Sequence, residues 1–157
     1  MSDFYYFRQA ADPEELELAV CRSASIDNKS FLAYGEHRYE FGFESAMNLF
    51  KNITFHWAEG SKNIIGDVMG KFLFSEKAAQ LIQSIEPNLR IFEAVSIDGF
   101  PAYFIEPKKV DELDESLNFY NSKLYRSSTI VSTEFKDAWE AAGLLGSKFE
   151  KIKIKSQ

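Results

Sequence analysis

Two stretches of the chain share one pattern: FLFSEKAAQLIQSIEPNLRIFEAV at residues 72–95 and TIVSTEFKDAWEAAGLLGSKFEKI at residues 129–152. Each passes from an apolar triplet through a serine into a helix-patterned segment, and then into a short strand pattern that contains Phe-Glu. The copies align without a gap at a constant offset, so that residue 72 corresponds to residue 129. We therefore predict two strand-helix-strand units, with two ordinary units that share this spacing by coincidence as the alternative.

Both helical segments carry the signals of a helix start and a helix end. Ser75 and Ser132 stand where an N-cap hydroxyl accepts a hydrogen bond from a first-turn amide. Apolar residues follow at i, i+3, i+4 and i+7 in both copies, as expected for one buried helix face: Ala78, Leu81, Ile82 and Ile85, and then Phe135, Ala138, Trp139 and Ala142. Pro87 and Gly143 are typical of positions just past a helix C-terminus.

The residues before the first unit favour β structure rich in aromatic side chains. Phe4 to Phe7 has strand composition, residues 16–20 alternate between apolar and other residues, and residues 31–43 resemble a hairpin. A helix turn after Pro13 is the alternative for the second of these segments. Residues 45–57 predict a short helix that passes into a strand, and residues 59–63 predict a loop.

The predicted fold class is therefore α+β, with a mostly antiparallel sheet. At 157 residues the chain fits one compact domain, in which residues 1–60 and 71–155 form possible sub-lobes. Asp98-Gly99 between two apolar runs predicts a hairpin with a tight turn. Ile152 and Ile154, interleaved with lysines, predict a final strand whose charged face would blunt a sheet edge.

The motifs of common catalytic and cofactor sites are missing from the sequence. His37 and His56 have no metal-ligand spacing, no glycine-rich phosphate loop or GxSxG motif occurs, and the two serines are explained as caps. We therefore predict no catalytic residue, no metal and no cofactor. Glu93 and Glu150 are the alternative, because they stand at equivalent positions and could act as paired carboxylates in a small hydrolase or transferase.

Composition and charge narrow the partners and the compartment. The net charge of −6 disfavours nucleic acid, whose phosphates are also negative, and makes a basic protein partner electrostatically easier. The alternative is that this charge simply keeps a soluble domain monomeric. Cys21 is the single cysteine, so an internal disulfide is excluded. The N-terminus lacks a signal-peptide pattern, and no apolar run approaches the ~18 residues of a membrane span. We expect a cytoplasmic protein that does not contact a membrane, and the sequence leaves its oligomeric state open.

The densest acidic segment is a charged, flexible-looking connection that follows the predicted hairpin. We predict that this connection and two nearby aromatic residues contact a partner: Glu106, Asp111, Glu112, Asp114, Glu115, Phe119 and Tyr120. A solvated loop without a binding role is the alternative for a charge run of this kind.

Residues 129–150 also resemble the C-terminal signature of a family of bacterial immunity proteins from polymorphic toxin systems. This family was once a domain of unknown function and was later catalogued as the eleventh class of immunity protein. Its pattern is an apolar strand, a serine, a helix, and then a glycine and Phe-Glu, and the resemblance extends over residues 71–153. The resemblance implies a non-enzymatic protein that binds and blocks a cognate toxin made by the same bacterium. An adaptor subunit of a larger assembly is a further alternative.

Overall fold

The computed structural model describes residues 3–9, 21–25, 44, 47, 54–57, 65–68, 71–96, 101–126, 128–144 and 146–154. Two α-helices are described from end to end: α1 (Glu76–Ile85) and α2 (Thr133–Ala141). A 3₁₀ helix spans Lys123–Tyr125. The strands are β1 (Phe4–Gln9), β2 (Cys21–Ser25), β3 (Thr54–Trp57), β4 (Ile65–Val68), β5 (Lys71–Ser75), β6 (Ile91–Ser96), β7 (Ala102–Ile105), β8 (Lys108–Val110), β9 (Phe119–Ser122), β10 (Ser128–Ser132) and β11 (Ser147–Lys151).

The strands that the structure describes form two sheets. One has five strands in the order β11-β1-β10-β9-β8, and the other has six in the order β2-β3-β6-β7-β5-β4. The pairs β3 with β6 and β8 with β9 are parallel, and the other described pairs are antiparallel. The predicted α+β class with mostly antiparallel pairing is therefore confirmed.

The two predicted strand-helix-strand units are present, and they share one topology. In the first unit, β5 and β6 both pair antiparallel with β7, which lies between them. In the second unit, β10 and β11 both pair antiparallel with β1, which lies between them. Each unit is therefore a split βαβ, in which the strands on either side of the helix are parallel but not adjacent. The middle strand follows the unit in one case and comes from the far N-terminus in the other.

The predicted constant offset fails in the last strand of the unit. Ser75 pairs with Ala102 and Ser132 pairs with Phe4, so these two serines remain equivalent. Ile91 pairs with Ile105, three residues after Ala102, and Phe149 pairs with Phe7, three residues after Phe4. Ile91, and not Phe92, is therefore equivalent to Phe149. The second unit has one more residue between its helix cap and this strand. Phe92-Glu93 and Phe149-Glu150 therefore do not occupy equivalent positions in the two units, and this part of the prediction is wrong.

One large apolar cluster, which we call the main core, joins both sheets and both helices. Phe7 of β1 is 1% exposed, and its ring lies 5.4 Å from Phe72, 5.6 Å from Phe135 and 5.2 Å from Trp139. Edge-to-face contacts of this kind add to the free energy gained by burying the rings. The buried members are Phe7, Phe74, Ala78, Ala79, Ile82, Ile105, Phe119, Val131, Phe135, Trp139 and Leu144.

The five-stranded sheet carries a second apolar cluster on its other face, as the alternation of side chains along a strand requires. Phe119 belongs to the main core, whereas its neighbour Tyr120 belongs to this second cluster. On β10, Val131 likewise belongs to the main core, and its neighbour Ile130 belongs to the second cluster. The buried members are Phe4, Tyr120, Tyr125, Ile130 and Ile152.

Several further predictions can be compared with the structure. Strands β6 and β7 confirm the predicted hairpin arms, although residues 97–100 lie outside the described residues. The final strand ends at Lys151, so the prediction that it includes Ile152 and Ile154 is wrong; Ile152 is buried and Ile154 is 52% exposed. Thr54–Trp57 is a strand as predicted, and Glu44 and Met47 are helical. The predictions for residues 16–20, 31–43 and 59–63 fall outside the described residues, and the single-domain assignment stays a prediction.

Candidate partner-binding surface

Most of the predicted contact residues lie on β9 or on the connection between β8 and β9, at one side of the five-stranded sheet, and Glu106 lies between β7 and β8. Asp111 follows β8 directly, and its carbonyl oxygen accepts hydrogen bonds from the Leu124 amide (2.9 Å) and the Ser122 hydroxyl (3.4 Å). The start of the connection is thereby fixed to the 3₁₀ helix that follows β9.

Asp114 organises the middle of the connection. Its Oδ1 accepts hydrogen bonds from the Ser116 amide (2.8 Å) and the Ser116 hydroxyl (2.5 Å), which is the geometry of an Asx turn. The Asp114 amide donates to the Tyr120 hydroxyl at 3.1 Å. The Ser116 bonds lower the pKa of the Asp114 carboxyl, and nearby Lys108 contributes in the same direction. Asp114 therefore has a structural role in the turn.

Two leucines attach the same connection to the sheet. Leu113 and Leu117 pack against the second apolar cluster, as does Val110 at the end of β8. Asp111, Glu112 and Glu115 are exposed, whereas Leu113 and Leu117 are partly buried. The connection is thus a cover with apolar side chains inward and carboxylates outward, which corrects the prediction of a flexible segment. We call Asp111, Glu112 and Glu115 the acidic face.

Three of the predicted contact residues do not present an exposed side chain to a partner, in contrast to the acidic face. Phe119 and Tyr120 are 0% exposed and belong to the two clusters, so they cannot anchor a partner on this surface. The alternating pattern of β9 buries both because each face of this sheet is covered. Glu106 is half-buried and lies 3.8 Å from Arg90 and 4.0 Å from Lys109, so its charge is already compensated.

Asn118 links the end of the connection to both helices. Its amide donates to Glu86 Oε1 at 2.6 Å, at the C-terminus of α1. Its side-chain oxygen accepts a hydrogen bond from the Ser132 hydroxyl at 2.6 Å. The same hydroxyl caps α2 by accepting from the Phe135 amide at 3.1 Å. This network was not predicted, because residues 86, 118 and 132 become neighbours only when the two units pack together. The spacing of Asp114 and Ser116 was a usable signal for the turn.

Glu93 and Glu150 do not form a site. Glu93 lies on β6 of the six-stranded sheet and Glu150 on β11 of the five-stranded sheet, and both are exposed. Glu150 lies 3.4 Å from Arg8 on the neighbouring strand. This placement removes the observation on which a paired-carboxylate enzyme would depend.

The described residues also bear on metal binding and on membrane insertion. No group of three or more histidine, cysteine, aspartate and glutamate side chains is arranged to hold a metal ion in that part of the chain. The helices that the structure describes include none that is long and apolar enough to cross a membrane.

Comparison of the chain with models of known protein families, with curated proteins and with solved structures finds no match. The resemblance to immunity proteins therefore stays a prediction.

Proposed function

We propose that this chain is a cytoplasmic immunity protein that binds a cognate secreted toxin of the same bacterium and covers the active site of that toxin. The acidic face is the observation that carries the proposal. Three exposed carboxylates project from a connection whose two leucines, Leu113 and Leu117, pack against the sheet. A surface that is already ordered loses little conformational entropy on binding, and its charge speeds encounter with a basic partner.

The chemistry of the partner follows from this charge. Toxins that act on nucleic acids or nucleotides need a basic cleft to hold phosphate groups, and carboxylates complement such a cleft. The net charge of −6 strengthens the same attraction at long range. The resemblance over residues 71–153 points to the same class of function independently of the charge.

A growth experiment tests the proposal directly. The partner to use is the toxin domain encoded by the gene immediately upstream, expressed in the cytoplasm of a test strain with and without this chain. We expect the toxin domain alone to arrest growth and co-expression to restore it. Continued arrest while both proteins are present in soluble form would refute the proposal, as would an upstream gene that encodes no toxin domain.

A pair of matched triple variants then tests the acidic face. D111K/E112K/E115K reverses it, and Asp114 is kept because it holds the turn together. E93K/D137K/E140K makes the same change in net charge at exposed positions on β6 and α2. We expect the first variant to weaken toxin binding about tenfold or more, with a smaller dependence on salt, and the second to have little effect. Equal effects would remove the acidic face from the interface.

A further inference from the structure

The strand β11 ends the five-stranded sheet on one side, in the order of the strands that the structure describes. The strand at the opposite side, β8, begins with Lys108 and Lys109, both exposed, and paired lysines of this kind discourage edge-to-edge association. The sequence of β11 is Ser-Lys-Phe-Glu-Lys, in which a carboxylate and an ammonium group lie on either side of a central phenylalanine. The predicted blunting of the β11 edge by its lysines therefore depends on what faces it, because Glu150 of a second copy can pair with Lys148, whereas β8 has no carboxylate within the strand.

The hydrogen bonds of β11 show which of its backbone groups point away from the sheet. The Ile152 amide donates to the Phe4 carbonyl oxygen at 2.9 Å, across to β1. Successive residues of a strand direct their backbone groups to opposite sides, so Lys148 and Glu150 also point toward β1. The amides and carbonyls of Ser147, Phe149 and Lys151 point outward, where an added antiparallel strand would pair with them.

The charges select one register for pairing β11 with itself around a twofold axis. With Phe149 on the axis, all five residues of the strand overlap, Phe149 faces Phe149, and Ser147 faces Lys151. Lys148 then lies opposite Glu150 of the second copy, twice in each dimer. An axis at Lys148, Glu150 or Lys151 places a charged side chain opposite itself, which is unfavourable at the ~5 Å separation of cross-strand neighbours. An axis at Ser147 overlaps only that one residue of the strand.

The central residue adds an apolar contribution. Phe149 packs against the main core, with its ring 5.6 Å from that of Phe7, yet it stays partly exposed. Lys136 on α2 lies 5.9 Å from the same ring. Pairing of two copies would bring the two Phe149 rings together as cross-strand neighbours and remove more of their surface from water.

We infer that β11 is a self-association edge, through which two copies of this chain form an antiparallel pair centred on Phe149. The product is one continuous ten-stranded sheet with the twofold symmetry that most homodimers have. One added strand buries less surface than a standard stable interface, so the dimer forms at high protein concentration and dissociates on dilution.

Sedimentation velocity on the full chain over a wide concentration range tests this inference. We expect the mean mass to rise toward that of a dimer with concentration. K148E should raise the dissociation constant about tenfold or more, because the introduced carboxylate then faces Glu150 of the second copy. K108E, the same charge change at the β8 side, should leave the dissociation constant unchanged. A mass that stays monomeric at the highest soluble concentration would overturn the inference.

The swap K148E/E150K separates pairing from damage to the fold. It restores opposite charges across the axis and returns a carboxylate to the vicinity of Arg8, so self-association should recover to near the original strength. Failure to recover while the thermal unfolding temperature matches that of the unaltered chain would refute this register.

As a second measurement, C21S/S147C/K151C should form disulfide-linked dimers under oxidation, since residues 147 and 151 face each other between copies. The control is C21S/S147C, which lacks the second cysteine at position 151. If C21S/S147C/K151C forms no more disulfide-linked dimer than this control, the register is refuted.

Discussion

Asp114 shows how one carboxylate fixes the shape of the candidate surface. Two hydrogen bonds from Ser116 lower its pKa, so its contribution to stability is fully present above the ordinary carboxyl value of about 3.9 and is lost as the pH falls through the lowered folded-state pKa. Glu112 and Glu115 on either side are exposed and project into solvent. The role of each carboxylate is therefore set by its hydrogen-bond donors and not by its charge alone.

Substitution S116A should raise the pKa of Asp114 toward its ordinary value, because the first of the two donors is the Ser116 hydroxyl. The loss of stability on acidification should shrink accordingly. An NMR pH titration of the Asp114 carboxyl carbon measures the shift. S84A is the control, since the Ser84 hydroxyl donates to the Leu81 carbonyl oxygen on the exposed side of α1. An unchanged Asp114 pKa in S116A would show that this turn is not formed in solution.

Trp139 carries a buried polar atom in the main core. Among the residues that the structure describes, its indole Nε1 has no hydrogen-bond partner, although Trp139 is 1% exposed. Leaving such a donor unpaired costs about 1–3 kcal/mol, and W139F removes that cost while losing a similar amount of ring packing. We expect the free energy of unfolding of W139F to stay within about 1 kcal/mol of the original in urea denaturation. W139A should lose about 3–5 kcal/mol, and an equally large loss in W139F would mean that Nε1 is hydrogen-bonded.

At the scale of elements, the two helix starts have the same cap but different surroundings. Ser75 accepts from the Ala78 amide at 3.2 Å. Ser132 accepts from the Phe135 amide and also donates to Asn118, which holds the connection that carries the acidic face. The second cap therefore joins a helix start to the candidate surface.

This difference predicts unequal costs for the same substitution. S75A should lower the free energy of unfolding by about 1 kcal/mol, the usual value of an N-cap. S132A should lower it further, because the Asn118 side-chain oxygen also loses its hydrogen bond. Urea denaturation of both variants measures the difference. S132T keeps a hydroxyl oxygen at the cap and should recover most of the loss, whereas equal costs for S75A and S132A would contradict the link to Asn118.

Much of each element was predictable from the sequence because the signals are local. Ser75 and Ser132 cap helices as predicted, and these helices end before Pro87 and Gly143. The strand order was not predictable, because nothing in Phe4 to Phe7 specifies insertion between β10 and β11, more than a hundred residues away. For the candidate surface, the exposed carboxylates could be recognised from charge. The burial of Tyr120 depends on what covers the outer face of its sheet, which no local pattern encodes.

At the scale of the whole molecule, the main core contains residues from both sheets. Phe7 of the five-stranded sheet meets Phe72 and Phe74 of the six-stranded sheet at 5.4 and 6.2 Å between ring centroids. The two helices contribute Ile82 and Trp139 to the same cluster. Because neither unit covers its apolar face alone, the two units should depend on each other for stability.

Substitution F7A tests this dependence, since Phe7 fills the space between the two units. Removing a buried phenylalanine ring costs about 3–5 kcal/mol, and F7L, which keeps most of the apolar volume, should cost less. If the main core is one cooperative unit, amide hydrogen exchange should accelerate by similar factors in β5 to β7 and in β9 to β11. Faster exchange in β9 to β11 alone would mean that the six-stranded sheet is stable without β1. The single-domain prediction would then be wrong, and each split βαβ unit would be an independent folding unit.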